Sequence, residues 1–223
     1  MKELLSYIQM FVLGCLGSCL GSFVLWNARQ LTISQEQNIS KVSGCSTVKA
    51  KILSPCFVLK ILCFIFFVVF YKAFGVSREL FIVSLTFFVL LFHAYTDYLA
   101  GITFDLVTYI FVPCILLLRM CFGVDFFLQG LYLMLVALGA MFLIFLVSRG
   151  KSGVGDVFVA SCLGCGCFSI VGCAVCLYLA FLFGAVTGVS LLVMKKITKQ
   201  TRIPFAPFLL LGYAMGIVLI GLF

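Results

Sequence analysis

Residues 157–194 read VFVASCLGCGCFSIVGCAVCLYLAFLFGAVTGVSLLVM, which is 38 residues without a charged side chain. A helix needs about 20 apolar residues to cross the roughly 30 Å hydrocarbon core of a bilayer. The stretch is therefore nearly twice as long as one spanning helix, and we expect it to fold back near residues 164–169. It predicts two consecutive membrane helices.

The composition of the whole chain excludes a water-soluble globule. Of its 223 residues, 65% are hydrophobic and 10% are charged, whereas a soluble domain carries about 25% charged residues. The sequence predicts an all-α polytopic membrane helix bundle of about eight transmembrane helices, forming a single domain over residues 1–223. The other six predicted spans are 4–26, 56–71, 80–96, 106–118, 126–148 and 205–223.

Basic side chains set the predicted orientation of the bundle. The chain has 15 Lys and Arg against 7 Asp and Glu, a net charge of +8, and eleven of the 15 fall on one side of the predicted spans. Short cytoplasmic loops carry an excess of Lys and Arg. We therefore expect a multi-pass protein of the cell membrane with both termini outside and a polar cytoplasmic loop at 27–55. We attribute the positive charge to loops at the surface of the lipid bilayer, and we expect no nucleic acid partner.

Carboxylates at a membrane are costly and mark function by default, and three fall at the predicted cytoplasmic boundary. Asp97 ends the third span, Asp105 follows it, and Asp156 opens the sixth span within Gly153-Val154-Gly155-Asp156. An Asp at a helix N-terminus also interacts favourably with the helix dipole, which is the structural alternative for Asp156. Two acids on the same side of the membrane, one of them beside two glycines, favour a functional site over this structural alternative.

Two carboxylates brought together can share one proton, because like charges raise one pKa and leave the partner ionised. The ionised group activates a water and the protonated group polarises a carbonyl, which together hydrolyse a peptide without a covalent intermediate. Gly153 and Gly155 let the backbone approach a substrate closely. His93, one helical turn before Asp97, is expected to pack or to orient a neighbour.

The twelve cysteines do not predict a metal site. Two C-x-x-C pairs occur, Cys162 with Cys165 and Cys173 with Cys176, but they lie in an uncharged stretch where burying thiolates for zinc is costly. In apolar stretches Cys acts as a small hydrophobic residue. The sequence therefore predicts no metal, and chelators should not inactivate the protein.

Four motifs of this chain resemble, in the same order, those of the type IV prepilin peptidases, which are the membrane aspartyl proteases of the GxGD class. The first is Gly21-Ser22-Phe23, and the second runs from Asp97 to Asp105 with the family's spacing of eight. The third is the GxGD signature at 153–156, and the fourth is Ile203-Pro204-Phe205-Ala206-Pro207-Phe208, which is similar to an IPFGPF segment. The resemblance covers nearly the whole chain.

The resemblance implies an activity and assigns residues to it. The catalytic pair carries over to Asp97 and Asp156, and the auxiliary or substrate-binding positions are Asp105, Gly153, Gly155, Pro204 and Phe205. The partners implied are prepilin or pseudopilin precursors, whose basic leader is cut after a glycine at the cytoplasmic face. Proteolysis needs no cofactor, while some members also methylate the product with S-adenosylmethionine. The alternative is a membrane carrier in which Asp97 and Asp156 bind a cation or substrate.

Two departures qualify the resemblance. Many members insert a zinc-binding loop with two C-x-x-C pairs after the first span, whereas this chain has only Cys45 and Cys56 there. The chain therefore resembles the reduced form found in Gram-positive competence systems. Phe158 also stands where a lysine often follows the GxGD aspartate, which changes any substrate contact at that position.

The first prediction concerns topology. Cysteine labelling or reporter fusions should place Lys49, Lys151 and Lys199 inside and Arg78 and Arg119 outside, because the basic excess marks the cytoplasmic side. Finding Lys151 outside would separate Asp156 from Asp97 by the whole membrane and contradict the predicted site.

Overall fold

The computed structural model describes residue 15 and residues 17–30, 56–75, 77–101, 105–148, 153–194 and 204–221. These residues form eight helices. In chain order they are α1 (17–30), α2 (Cys56–Phe74), α3 (Arg78–Ala100), α4 (Asp105–Cys121), α5 (Val124–Val147), α6 (Val154–Gly166), α7 (Ile170–Val193) and α8 (Ala206–Gly221).

The described residues confirm the predicted helical bundle, and no strand occurs among them. The long uncharged stretch folds back as expected, with α6 ending at Gly166 and α7 beginning at Ile170. Ser169 caps the second helix, because its side chain accepts a hydrogen bond from the Gly172 N–H at 3.0 Å. That bond satisfies one of the N–H groups that have no partner within the helix.

Three helices are long and apolar enough to cross a membrane by length and composition: Arg78–Leu99, Val124–Val147 and Ile170–Val193. Their burial differs, since 67% of the apolar window of α3 is buried against 22% for α5 and 28% for α7. Thus α3 is a central helix, while α5 and α7 present most of their apolar surface outward, as lipid-facing helices do. The count of eight spanning helices stays a prediction.

One predicted boundary is wrong. The polar loop was expected at 27–55, but α1 continues to Gln30. Ala28 is fully buried, so the apolar contact of α1 extends beyond the end of the hydrophobic stretch, and the Asn27 side chain donates to the Phe23 carbonyl of its own helix. Residues 31–55, including Cys45, lie outside the described residues, as do residues 4–14 and 16 of the predicted first span.

Glycines bring the backbones of neighbouring helices into contact. A Cβ built on Gly164 of α6 would lie 2.5 Å from the carbonyl oxygen of Leu133 in α5. A Cβ on Gly212 of α8 would lie 2.5 Å from the carbonyl oxygen of Cys176 in α7. Both contacts are to backbone, which cannot move aside as a flexible side chain does. The axial positions of α6 and α8 are therefore fixed by their neighbours.

Arg119 lies inside the bundle, although the sequence counted it among the basic residues on the outer side. It is fully buried at the end of α4, where its guanidinium donates to the carbonyls of Phe126 and Cys167. Gly130 of α5 leaves room for it, because a Cβ there would lie 2.4 Å from the Arg119 Cδ. The guanidinium thus joins α4 to the turn between α6 and α7.

The close contact of α5 with α6 gives the second prediction. Gly164→Ala should destabilise the bundle by about 1–3 kcal/mol, the usual cost of overpacking, because the new methyl group meets backbone. Retention of the folded monomer after heating in detergent, read by size exclusion, measures the effect. Gly139→Ala in α5 is the matched control, since no described atom lies within 4 Å of its Cβ position. Equal heat stability of the two variants would contradict this packing.

Candidate active site

The ends of three helices meet at one end of the bundle. Asp97 lies in the last turn of α3, Asp156 in the first turn of α6, and Ala206 begins α8. Asp97 is only 7% exposed, and its Oδ2 accepts a hydrogen bond from the Ala206 N–H at 3.0 Å. The backbone of Phe205 lies beside the same carboxylate. The start of α8 therefore supplies donors to a buried acid.

Gly101 ends α3 one turn after Asp97. Its φ of +63° is left-handed, and its N–H donates to the Asp97 carbonyl. A residue with a side chain rarely adopts this conformation, so a glycine is favoured at this position. Because the helix stops here, Asp97 belongs to the last turn of α3, beside the ends of α6 and α8, and not to the middle of the span.

Asp156 sits close above Gly153. The Asp156 N–H donates to the Gly153 carbonyl at 3.2 Å, and a Cβ on Gly153 would lie 3.2 Å from Asp156 Oδ2. The φ of Gly153 is −68°, which any residue can adopt. A glycine at position 153 therefore leaves room for the Asp156 carboxyl group. The backbone conformation at this position does not require a glycine.

The two acids are close enough to interact. Asp156 lies in α6, outside the three candidate spans, and burial, followed by the negative charge of Asp97, raises the pKa of Asp156 to about 7. The two predicted acids thus lie at the same end of the bundle, and Asp156 is about half protonated at neutral pH. One group of the pair can donate a proton while the other accepts one.

His93 links α3 to α4 one turn below Asp97. It is fully buried, and its Nε2 is 2.9 Å from the Thr108 Oγ1. Its Nδ1 has no hydrogen-bond partner among the described residues. The hydrogen bond between His93 and Thr108 holds together the two helices that flank the loop from Asp97 to Asp105.

The remaining predicted positions differ in burial. Asp105 is exposed at the start of α4, and Gly155 is half-buried beside Asp156. Pro204 is half-buried before α8. The ring of Phe205 packs on Phe181 of α7, with 5.1 Å between ring centroids, so its side chain orients the start of α8. Residues 102–104 and 149–152 lie outside the described residues.

Phe158 has an aromatic partner in place of the charged contact that a lysine would make. Its ring meets Tyr109 of α4 edge to face, with 5.4 Å between centroids. Such pairs add about 0.5–1.5 kcal/mol beyond their burial. Phe158 is two residues after Asp156, so this contact fixes α6 against α4 near the candidate site.

The four cysteines of the two C-x-x-C pairs pack as apolar groups. Cys162, Cys165, Cys173 and Cys176 are all buried as free thiols. Across the described ranges, no group of three or more His, Cys, Asp or Glu is arranged to hold a metal ion. The metal-free prediction for the whole chain stays a prediction, since Cys45 lies outside these ranges.

Comparisons with protein-family models, with curated proteins and with solved structures find no match for this chain. The chemistry of the site therefore follows from its own residues. Two of them, Ala206 and Thr108, were missed by the sequence interpretation. The signal for Ala206 was Pro207, because a proline in the first turn marks a helix start whose N–H groups need acceptors.

The raised pKa of Asp156 gives the third prediction. The folded protein binds a proton there up to about pH 7, while the unfolded chain releases it near pH 4. The folded state thus binds more protons between these values, and stability falls as pH rises through this window. Asp156→Asn should remove that loss, so its advantage over the wild type in thermal unfolding should be larger at pH 8 than at pH 4.5.

The control for this measurement is Asp105→Asn, which removes an exposed carboxylate at the same end of the bundle. The change with pH should be larger for Asp156→Asn than for this control. A constant difference between Asp156→Asn and the wild type from pH 4.5 to pH 8 would contradict the burial of Asp156 beside Asp97.

Proposed function

We propose that this chain is a membrane-embedded aspartyl endopeptidase of the prepilin peptidase type, with Asp97 and Asp156 as its catalytic pair. The observation that carries the proposal is that these two acids, 59 residues apart in sequence, come from separate helices to one end of the bundle. Asp97 accepts the Ala206 N–H, and the charge of Asp97 acts on Asp156. A pair of acids in such proximity suits proton transfer in both directions.

The surroundings of the two acids assign their roles. Asp97 Oδ2 binds the N–H at the start of α8, where a donor and the positive end of a helix dipole stabilise a negative charge. Asp156, with a pKa raised to about 7 by burial and by Asp97, carries a proton in about half of the molecules in neutral solution, which suits a general acid. Asp97 is therefore the general base of the proposed reaction, and Asp156 is the general acid.

The proposed hydrolysis has two steps. Asp97 takes a proton from a water molecule as its oxygen bonds to the scissile carbonyl carbon, and Asp156 gives its proton to the carbonyl oxygen. The tetrahedral intermediate then collapses as the carbon–nitrogen bond breaks. Asp97 passes its proton to the leaving amine, and Asp156 recovers one from the hydroxyl group. The pair ends in its starting protonation state, and this route uses no metal and no cofactor.

The substrate class comes from the resemblance. The GxGD signature at 153–156 and the segment from Pro204 to Phe208 favour a basic leader cut from prepilin or competence pseudopilin precursors after a glycine. The excess of basic loops favours a cytoplasmic location for the Asp97 end. In this proposal the bundle is embedded in the cell membrane by about eight helices, both termini are outside, and the acids lie at the cytoplasmic boundary.

The fourth prediction tests the pair. Asp97→Asn and Asp156→Asn should each reduce cleavage by at least about 10²-fold, the lower range of acid–base catalysis, because Asn keeps the volume but transfers no proton. The double variant should be no worse than either single variant, since groups that act as a unit are non-additive. The assay uses purified protein and a synthetic substrate with a basic leader, a glycine and an apolar helix, and mass measurement of the products.

Two further variants make the test specific. Glu79→Gln removes an acid from the same helix about 27 Å from Asp97 and should cleave normally. Asp105→Asn should be intermediate, since Asp105 neighbours the site without a part in the chemistry. The same mass measurement reports whether the new N-terminus is methylated. Robust cleavage by Asp156→Asn would contradict the aspartyl mechanism and favour the carrier alternative.

A further inference from the structure

A cavity of about 420 Å³ lies at the end of the bundle opposite the acid pair. The candidate spans Arg78–Leu99 and Val124–Val147 both begin beside it. The cavity is therefore at a membrane–water boundary, where a phospholipid headgroup lies. Its lining residues are Arg78, Phe122, Gly123, Asp125, Phe126 and Gln129.

Two arginine side chains lie against Phe126, which forms part of the cavity wall. The guanidinium carbons of Arg78 and Arg119 lie 4.8 Å and 4.6 Å from the centroid of the Phe126 ring. Arg119 is fully buried, its Nε has no hydrogen-bond partner, and no carboxylate in the described part of the chain forms an ion pair with it. Arg119 does not line the cavity, but it lies on the Phe126 ring, which does, so its uncompensated charge favours an anion there.

Arg78 is the cation whose side chain can contact a ligand in the cavity. Its side chain is 51% exposed, and its ion pair with Glu79 uses only Nε, at 3.1 Å. The guanidinium is a fork of five N–H donors, so the ion pair leaves its Nη groups for a second oxyanion. Arginine forks bind phosphate oxygens in this way.

Asp125 adds a negative charge to the same cavity. It is exposed in the first turn of α5, and over the described ranges it forms no ion pair with Arg78 or Arg119. The cavity thus presents separated charges of both signs. A ligand that carries a phosphate and an ammonium group on one short chain would complement both.

Apolar side chains continue from the cavity along the outer surface of the spans. Phe81, three residues after Arg78, is 60% exposed, and Leu128, three residues after Asp125, is 53% exposed. Residues three apart lie on the same face of a helix. The charged groups are therefore followed by apolar surface that acyl chains can cover, and this favours a lipid over a free phosphate ester.

We propose that this cavity binds the headgroup of a phospholipid with a primary ammonium group, such as phosphatidylethanolamine. Arg78 binds the phosphate, Asp125 binds the ammonium, and the acyl chains lie along Phe81 and Leu128. A choline headgroup fits less well, because its methylated nitrogen has no N–H to donate to Asp125. The proposal is independent of the peptidase function, since its site is at the other end of the bundle.

The fifth prediction is a lipid preference. The full chain is reconstituted in vesicles of equal parts phosphatidylethanolamine, phosphatidylglycerol and phosphatidylcholine, extracted in mild detergent, and its bound lipids are counted by native mass spectrometry. The wild type should retain phosphatidylethanolamine about tenfold over phosphatidylcholine, the effect of one hydrogen bond to a charged group. Arg78→Gln should lower retention of all three lipids. Asp125→Asn should lower the preference for ethanolamine over choline, because the ammonium then meets a neutral amide oxygen in place of a carboxylate.

Lys72→Gln is the matched control, because it removes an exposed cation from the last turn of α2, at the same end of the bundle and outside the cavity. Its lipid profile should equal that of the wild type. Equal retention of the three lipids by the wild type, or an unchanged ratio in Asp125→Asn, would overturn the proposal. The ratio is read within one sample, so it does not depend on yield. Full competition by soluble phosphoethanolamine would overturn the lipid assignment.

Discussion

The hydrogen bond from the Ala206 N–H to the Asp97 carboxylate is the interaction on which the candidate site depends. A carboxylate as buried as Asp97 is costly unless a donor compensates for the water it has lost. The start of α8 supplies that donor. The bond in turn gives a partner to an N–H that has no acceptor within its own helix. One contact thus stabilises both the buried acid and the start of the last helix.

This contact can form only because α8 is held at a fixed height. Gly212 and Gly216 place α8 directly against α7, with the Cβ position of Gly216 2.5 Å from the Cys176 Sγ. A larger residue at either position would separate the helices and move the Ala206 N–H away from Asp97. The glycines do not contact the acids themselves, yet their packing determines the distance between donor and carboxylate.

The sequence predicted the helices better than it predicted the contacts between them. Uncharged length is a property of each segment alone, and it located the fold-back between α6 and α7 as well as most helix ends. It predicted Asp97 and Asp156 because charges in an apolar chain are rare. It could not predict Ala206 or Thr108 as partners, since a backbone N–H or a threonine becomes a partner only through packing.

The same limit explains why the sequence counted Arg119 as an exposed basic residue on the outer side. A positive charge near a predicted helix end is normally exposed, and only the three-dimensional packing reveals that Gly130 leaves a space for it. The sequence also ended the first helix too early, because polar residues at 27–30 indicate a loop while the burial of Ala28 continues the helix. In both cases a tertiary contact outweighs the local pattern.

The short helix α6 connects the two ends of the molecule. It spans 13 residues, about 20 Å. Asp156 lies in its first turn, and the guanidinium of Arg119 binds the Cys167 carbonyl just beyond its last turn. An acid at the N-terminus of a helix and a cation at its C-terminus both interact favourably with the helix dipole. Since α6 is also in backbone contact with α5 at Gly164, it cannot shift along its axis, and Asp156 is held at the level of Asp97.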